Sequence, residues 1–413
     1  MMLLSIALRL LLAAEPALSA AAPAPIPAPG AAIAPGGPTA PAAAPAARPP
    51  TLGPIRFDPA RGRYVAPYGD GLAVLTLDPR LQRRLERTLA EQEVPWGVTV
   101  LLDPRTGRVL AMAEHAQGDP KARWLSLRAR APAASIFKIV TASALLEDGA
   151  SPEEPVCYHG GQHRLAPALL ADDARRDRSC LSMAAAFGLS ANVVFAKLAA
   201  RALSPERLRA AAARLLFDAP IPFPAPVEPS HAVIPSDRFG LASAAAGFGE
   251  VRLSPLHAAL LAAVVANHGM LAPPWLVELV EGGQAPPVGE PVRLLDAPVA
   301  AELGAMMRET VAIGTARRAF SRAPRELRGV TVAGKTGSLD EQRPFRDNTW
   351  FVGYAPADDP QVVVATLVVN GPLWRVRAPW VAREALAAYF ADHLADAAPP
   401  AALRLASWQG AGR

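Results

Sequence analysis

The chain has 413 residues, 51% of them hydrophobic and 19% charged, which is long for one domain of about 100–200 residues and sufficient for a large core. Its 44 Pro are roughly twice the usual share, yet the composition excludes collagen, coiled coil and bulk disorder, and no uninterrupted apolar run of about eighteen residues marks a multi-span membrane protein. A formal charge of +5, from 42 basic and 37 acidic residues scattered along the chain, does not read as nucleic-acid binding.

Residues 2–14 are an apolar run interrupted by Arg9, with small residues at Ser19 and Ala20, so 1–20 reads as an export signal or short anchor. Residues 21–50 hold 13 Ala and 10 Pro; this extended spacer is taken to residue 53, the folded part from 54 to 396, and a tail from 397 to 413. Leu81, Leu85 and Leu89 among charges predict an amphipathic helix over 81–92. Gly97–Leu102 and Arg108–Ala113, joined by Asp103-Pro104-Arg105-Thr106-Gly107, predict a β-hairpin. Helices are predicted over 135–147 and over 181–201, the second broken near Gly188. Ser204-Pro205 and Ser254-Pro255 are helix starts, with Ser as N-cap and Pro in the first turn, and the second helix is drawn to Gly269. A helix over 298–312 precedes strands at Gly329–Ala333, Thr349–Tyr354 and Gln361–Val369, and a helix over 379–394 closes the chain. This order predicts an α+β fold, one antiparallel sheet built from both chain ends and flanked by helices, with a helical subdomain between.

Cys157 and Cys180 are the two cysteines. For an exported chain a disulfide is the first reading and two free thiols the second. A zinc site with His159 and His163 comes third, because the spacing matches no common zinc pattern.

Three short motifs carry chemistry. In Ser135-Ile136-Phe137-Lys138, Ser and Lys three apart at a helix start share a face, and a neutral Lys can take the hydroxyl proton. The plain alternative is a capping Ser and a surface Lys. Only four residues are Lys against 38 Arg, and Lys can lose a proton where Arg cannot. In Ser190-Ala191-Asn192, at the helix break, Ser can relay a proton and Asn can hold an amide, although alone the motif is no better than an N-cap. Lys335-Thr336-Gly337-Ser338, following the strand Gly329–Gly334, can bind a carboxylate, with Gly337 admitting a ligand to the backbone. The second motif begins 55 residues after the first, and the third 145 residues after that.

In that order the motifs resemble those of the serine enzymes that react with penicillin. Over about residues 72–395 the chain is similar to the transpeptidase domain of bacterial penicillin-binding proteins. The resemblance runs through Leu75-Thr76-Leu77-Asp78, Gly97 to Ala113, Gly247-Phe248-Gly249, Ser254-Pro255, Ala266-Asn267-His268-Gly269 and Thr349 to Pro356. It implies that Ser135 attacks the penultimate D-Ala of a peptidoglycan stem peptide, with Lys138 as general base. Ser190 and Lys335 then protonate the leaving D-Ala. Asn192 positions the peptide, Lys335 and Thr336 receive the terminal carboxylate, and Gly337 and Ser338 complete the binding strand. Backbone N–H groups of Ser135 and Ser338 form the oxyanion hole, worth roughly 3–4 kcal/mol per donor in comparable acyl transfer. The implied partners are stem peptides, β-lactam antibiotics and other cell-wall synthesis proteins, with no cofactor, metal or nucleic acid, at the periplasm or outer face of the cytoplasmic membrane.

The chain also departs from the family. Residues 1–71 leave no room for a glycosyltransferase domain, and a pedestal domain is absent or minimal. Ala131-Pro132-Ala133-Ala134 stands where many members carry Pro-Gly. A D,D-carboxypeptidase and a serine β-lactamase share the motifs, and a non-catalytic D-Ala-D-Ala binding module is the rival from another class. Outside the motifs, Lys197 reads as a solvated helix residue, Trp350 and Trp374 as core or groove-lining, and His257 and His268 as satisfied core or surface groups.

Overall fold

Asp78 accepts from the backbone N–H of Arg80 and Leu81, both at 2.8 Å, and so starts helix α1 (Pro79–Glu91). Leu81, Leu85 and Leu89 bury one face of α1 against the central sheet. The computed structural model describes residues 50–397 apart from 119–122 and 163; the expected signal, most of the spacer and the tail lie outside them.

The central sheet has five strands: β1 (Trp96–Leu102), β2 (Val109–Ala116), β3 (Ala333–Gln342), β4 (Phe345–Ala355) and β5 (Val362–Asn370). Their spatial order is β3-β4-β5-β1-β2, every pair antiparallel. The pairing of β5 with β1 joins the two ends of the chain; at its centre Thr99 faces Thr366, with Oγ atoms 3.2 Å apart. Val98, Val100, Val363 and Ala365 pack into the helical body, whereas Leu101, Ala111, Val362 and Val364 pack beneath α1 and the closing helix. With both faces covered, β5 does not alternate: Val362–Val369 is apolar except for Thr366.

Between the sheet halves lie α2 (Lys138–Glu147), α3 (Met183–Gly188), α4 (Asn192–Ala202), α5 (Pro205–Arg214), α6 (Arg238–Ala245), α7 (Pro255–Ala266), α8 (Ala297–Ala312) and α9 (Arg317–Phe320), and α10 (Ala378–Ala397) closes the chain. Ser254 caps α7 by accepting from the His257 N–H at 3.3 Å. Every residue of α7 is buried, and the helix ends at Ala266, short of Gly269. Among the described residues no helix is long and apolar enough to cross a membrane.

A smaller antiparallel sheet is built from Arg56–Asp58, Arg63–Tyr68, Gly71–Leu75 and Val277–Glu281. Leu52, just before it, is buried and donates its N–H to Pro224 O at 2.8 Å. Pro155–Tyr158 and Ser179–Ser182 form a two-stranded ribbon in which Cys157 faces Cys180, and the two are disulfide-bonded. With both sulfurs in that bond, the zinc arrangement has no thiolate ligands; its His163 lies outside the described residues.

Three expectations need correction. The strand drawn over Gly329–Gly334 begins instead at Ala333 and runs through Lys335-Thr336-Gly337 to Gln342. Lys197 is wholly buried, not solvated. Trp350 is in the core, but Trp374 is 60% exposed.

Candidate active site

Ser135 lies in a 3-10 turn, Ala134–Phe137, that leads into α2. Ile136 and Phe137 are fully buried, and the Phe137 ring meets Phe217 edge-on at 5.3 Å. These anchors leave Ser135 half-buried at the floor of a cleft. Trp350 Nε1–H donates to Pro132 O at 2.8 Å and ties the approach to Ser135 onto β4.

Lys138 is wholly buried beneath Ser135. Its Nζ lies 2.8 Å from Ser135 Oγ, 2.6 Å from Asn192 Oδ1 and 2.7 Å from Ala246 O. The amide and peptide oxygens only accept, so Lys138 donates to both. A neutral amine then has its lone pair left for the Ser135 hydroxyl proton. Burial, reinforced by the neighbouring Lys335 charge, holds the Lys138 pKa well below that of an ordinary lysine.

Ser190 stands between α3 and α4 with φ +58°, a left-handed backbone that ends one helix and aims the next. Lys335 Nζ donates to Ser190 Oγ at 3.0 Å and to Thr336 O at 2.9 Å. Burial lowers the Lys335 pKa to about 7. The Phe187 ring lies 5.3 Å from Lys335 Nζ, and the Phe195 ring 5.7 Å from Lys138 Nζ, so each lysine nitrogen lies over an aromatic face.

Alternation along β3 presents Thr336 and Ser338 to the cleft, whose volume is about 670 Å³. Gly337 turns inward. A Cβ there would lie 3.1 Å from Ile136 Cγ1 and 3.3 Å from Ala133 O, so this glycine lets β3 close on the Ser135 turn rather than admitting a ligand.

The structure thus gathers Ser135, Lys138, Ser190, Asn192, Lys335, Thr336 and Ser338 about one cleft. It also adds Thr315, which sequence reasoning missed. Thr315 follows α8, donates its N–H to Gly188 O at 3.1 Å and shares a hydroxyl–hydroxyl hydrogen bond with Thr336. A lone Thr in a Gly-Thr-Ala turn carries no local signal; only the fold brings it to β3. Farther along the cleft Asp340 faces Asp347 across β3 and β4. Burial raises the Asp347 pKa, against the opposing field of Arg377.

Fold and cleft together define a class: an α+β domain in which one cleft serine rests on a buried lysine and a second cleft serine is bonded to another buried lysine. The family model described as penicillin binding protein transpeptidase domain matches residues 97–387, and the chain belongs to that family. The peptidoglycan D,D-transpeptidase PbpA of Mycolicibacterium smegmatis is 28% identical over 319 residues, covering 67% of this chain and 62% of that protein. The chain spans about three fifths of the length of such curated relatives. The crystal structure of PBPA from Mycobacterium tuberculosis superposes with a TM-score of 0.63 at 25% identity, covering 79% of this chain and 81% of that one. The imipenem acyl-enzyme complex of the same protein superposes with a TM-score of 0.63 at 26% identity, covering 77% and 79%.

Proposed function

We propose that this protein is a serine D,D-transpeptidase that cross-links peptidoglycan stem peptides ending in D-Ala-D-Ala, and that β-lactams acylate the same serine. The observation that carries the reading is the buried Lys138 amine, 2.8 Å from Ser135 Oγ, whose other two partners are acceptors. Ser135 loses its proton to Lys138 as Oγ attacks the carbonyl of the penultimate D-Ala. The oxyanion is received by the backbone N–H groups of Ser135 and Ser338. Ser190, in contact with Lys335, passes a proton to the leaving D-Ala nitrogen. Thr336 and Lys335 receive the terminal carboxylate, and Asn192 orients the peptide. An amine of a second stem then attacks the acyl-enzyme and completes the cross-link.

The relatives named as transpeptidases support this reading, and the imipenem acyl-enzyme of one of them supports β-lactam binding. We assign the domain to residues 54–396 and, from the apolar start of the chain, its location to the outer side of the cytoplasmic membrane, where other cell-wall synthesis proteins are candidate partners.

The test is intact mass after incubation with benzylpenicillin, followed over hours, with Ser135→Ala alongside, and then turnover of a stem pentapeptide with and without an amine acceptor. A lasting adduct on wild type alone, and a cross-linked product, are expected. A transient adduct with hydrolysed drug would mean a β-lactamase. Release of D-Ala without cross-linking would mean a carboxypeptidase, and no adduct at all a binding module.

A further inference from the structure

Three groups left unused by that mechanism meet on one side of α4: the Cys157–Cys180 disulfide, the buried Lys197, and the carboxylates of Asp172 and Asp177. Helix α4 begins without a side-chain cap, because Ala191 occupies the N-cap. Its first amides donate instead to backbone carbonyls of the disulfide-closed loop, Asn192 N–H to Gln162 O at 3.2 Å and Val193 N–H to Gly161 O at 3.1 Å. Farther along the helix, Lys197 Nζ donates to Cys157 O and to Asp177 Oδ2, both at 2.8 Å, and to Asp172 Oδ1 at 3.1 Å. His159 bonds the other oxygen of Asp177. The Lys197 and His159 contacts hold the Asp177 carboxyl far below the usual carboxylate range. The loop is therefore fastened to α4 at two levels, and at the head of that helix Asn192 Oδ1 accepts from Lys138 Nζ at 2.6 Å.

We propose that the loop 155–182, closed by Cys157–Cys180 and fastened by Lys197, is a thiol-sensitive strut that holds Asn192 against Lys138, so that a dithiol reductant slows acylation of Ser135 while the domain stays folded. The proposal rests on the acyl-enzyme reading above. Lys197 acts here as a positioning residue, through α4. The two cysteines lie outside both apolar cores, and Val156 and Tyr158 beside Cys157 keep the ribbon packed on one of them, so the fold is expected to survive reduction.

Cys180 is exposed and Cys157 half-buried, so the outer sulfur is open to reagent. A thiolate of the dithiol attacks Cys180 Sγ, the S–S bond breaks, and Cys157 leaves as a thiolate that takes a proton. The reagent's second thiolate then displaces Cys180 Sγ. The protein gains two electrons and two protons as two thiols, and the reagent leaves as a cyclic disulfide.

The experiment follows benzylpenicillin acylation of the full chain by intact mass, before and after dithiothreitol reduction and iodoacetamide capping, which also counts the thiols. The reduced protein is expected to keep its circular dichroism and to acylate about tenfold more slowly, less than the ~100-fold that a 1 Å misplacement of reacting groups can cost. Lys197→Met, with the disulfide intact, is expected to slow acylation comparably. In Asn192→Ala, already slow, reduction should add less than about twofold, because the group being positioned is gone. Equal rates for oxidised and reduced wild type overturn the strut. So does equal slowing by reduction in wild type and Asn192→Ala, which would mean that the effect bypasses Asn192. Absence of any adduct on the oxidised wild type is a different failure, of the transpeptidase reading itself.

Discussion

A Cβ on Gly247 would sit 2.1 Å from the carbonyl oxygen of Ala134 and 3.0 Å from the Ser135 nitrogen. Both residues are left-handed, Gly247 at φ +96° and Ala134 at φ +48°. The Ala246 carbonyl beside Gly247 also accepts from Lys138. One short segment therefore sets the backbone at Ser135 and one hydrogen-bond partner of Lys138. Gly247→Ala is expected to slow penicillin acylation by about 10–100-fold and to cost about 1–3 kcal/mol in denaturant unfolding. A rate within about twofold of wild type would show that the segment yields without moving Ser135.

The two buried lysines predict a bell-shaped pH profile for acylation. In the proposed mechanism Lys138 acts as a neutral amine, so the rate is expected to rise with pH through its lowered pKa. In the same mechanism Lys335 acts protonated, and its burial is expected to place the falling limb near pH 7. Lys335→Arg stays charged throughout this range and should lose the alkaline limb while acylating more slowly. Stopped-flow acylation from pH 5 to 9 reads the alkaline limb, and an unchanged alkaline limb in Lys335→Arg removes Lys335 from that role.

Thr315 should matter to binding more than to chemistry. Its hydroxyl donates to Gly188 O at 3.4 Å and pairs with that of Thr336, so it holds the Thr336 side chain in place at the wall of the cleft. Thr315→Val should raise KM for a stem peptide about fivefold, the worth of about 1 kcal/mol in one hydrogen bond, with kcat little changed. Thr315→Ser should restore it. A fall in kcat at constant KM would contradict a binding role.

His257 is fully buried, donates Nε2–H to Leu215 O at 2.7 Å and has no hydrogen-bond partner at Nδ1. Burial lowers its pKa from 6.5 to about 4. Between those values the unfolded chain binds the additional proton, so stability present above pH 6.5 is lost as pH falls toward 4, by about 3 kcal/mol at most from this group. His257→Gln, which does not titrate here, should show a smaller loss in urea midpoints between pH 7 and pH 4.5. Parallel losses in both proteins would assign the acid sensitivity elsewhere.

Much of this molecule can be read locally. The hairpin β1–β2 was legible because Asp103-Pro104-Arg105-Thr106-Gly107 is turn chemistry between apolar runs, and the three motifs were legible as strings. The start of β3 was not. Gly334, Lys335, Thr336 and Gly337 include poor strand formers, and ten paired positions with β4 override that propensity. Lys197 was misread because its partners Cys157, Asp172 and Asp177 lie 20–40 residues earlier, where no helical spacing links them. The glycines were visible, but not the neighbours that require them: Ala134 for Gly247 and Ile136 for Gly337.

Lys138, Lys197 and Lys335 each have zero exposure, and the fourth lysine, Lys121, lies outside the described residues. Positive charge on the described surface is thus carried by guanidinium groups, whereas the amines are interior parts. Amine-directed reagents such as N-hydroxysuccinimide esters or formaldehyde with borohydride would find none of these three on the native protein. Each would become reactive only when its own surroundings open, so an amine label at Lys197 or Lys138 reports the unpacking of α4 or of the serine pocket.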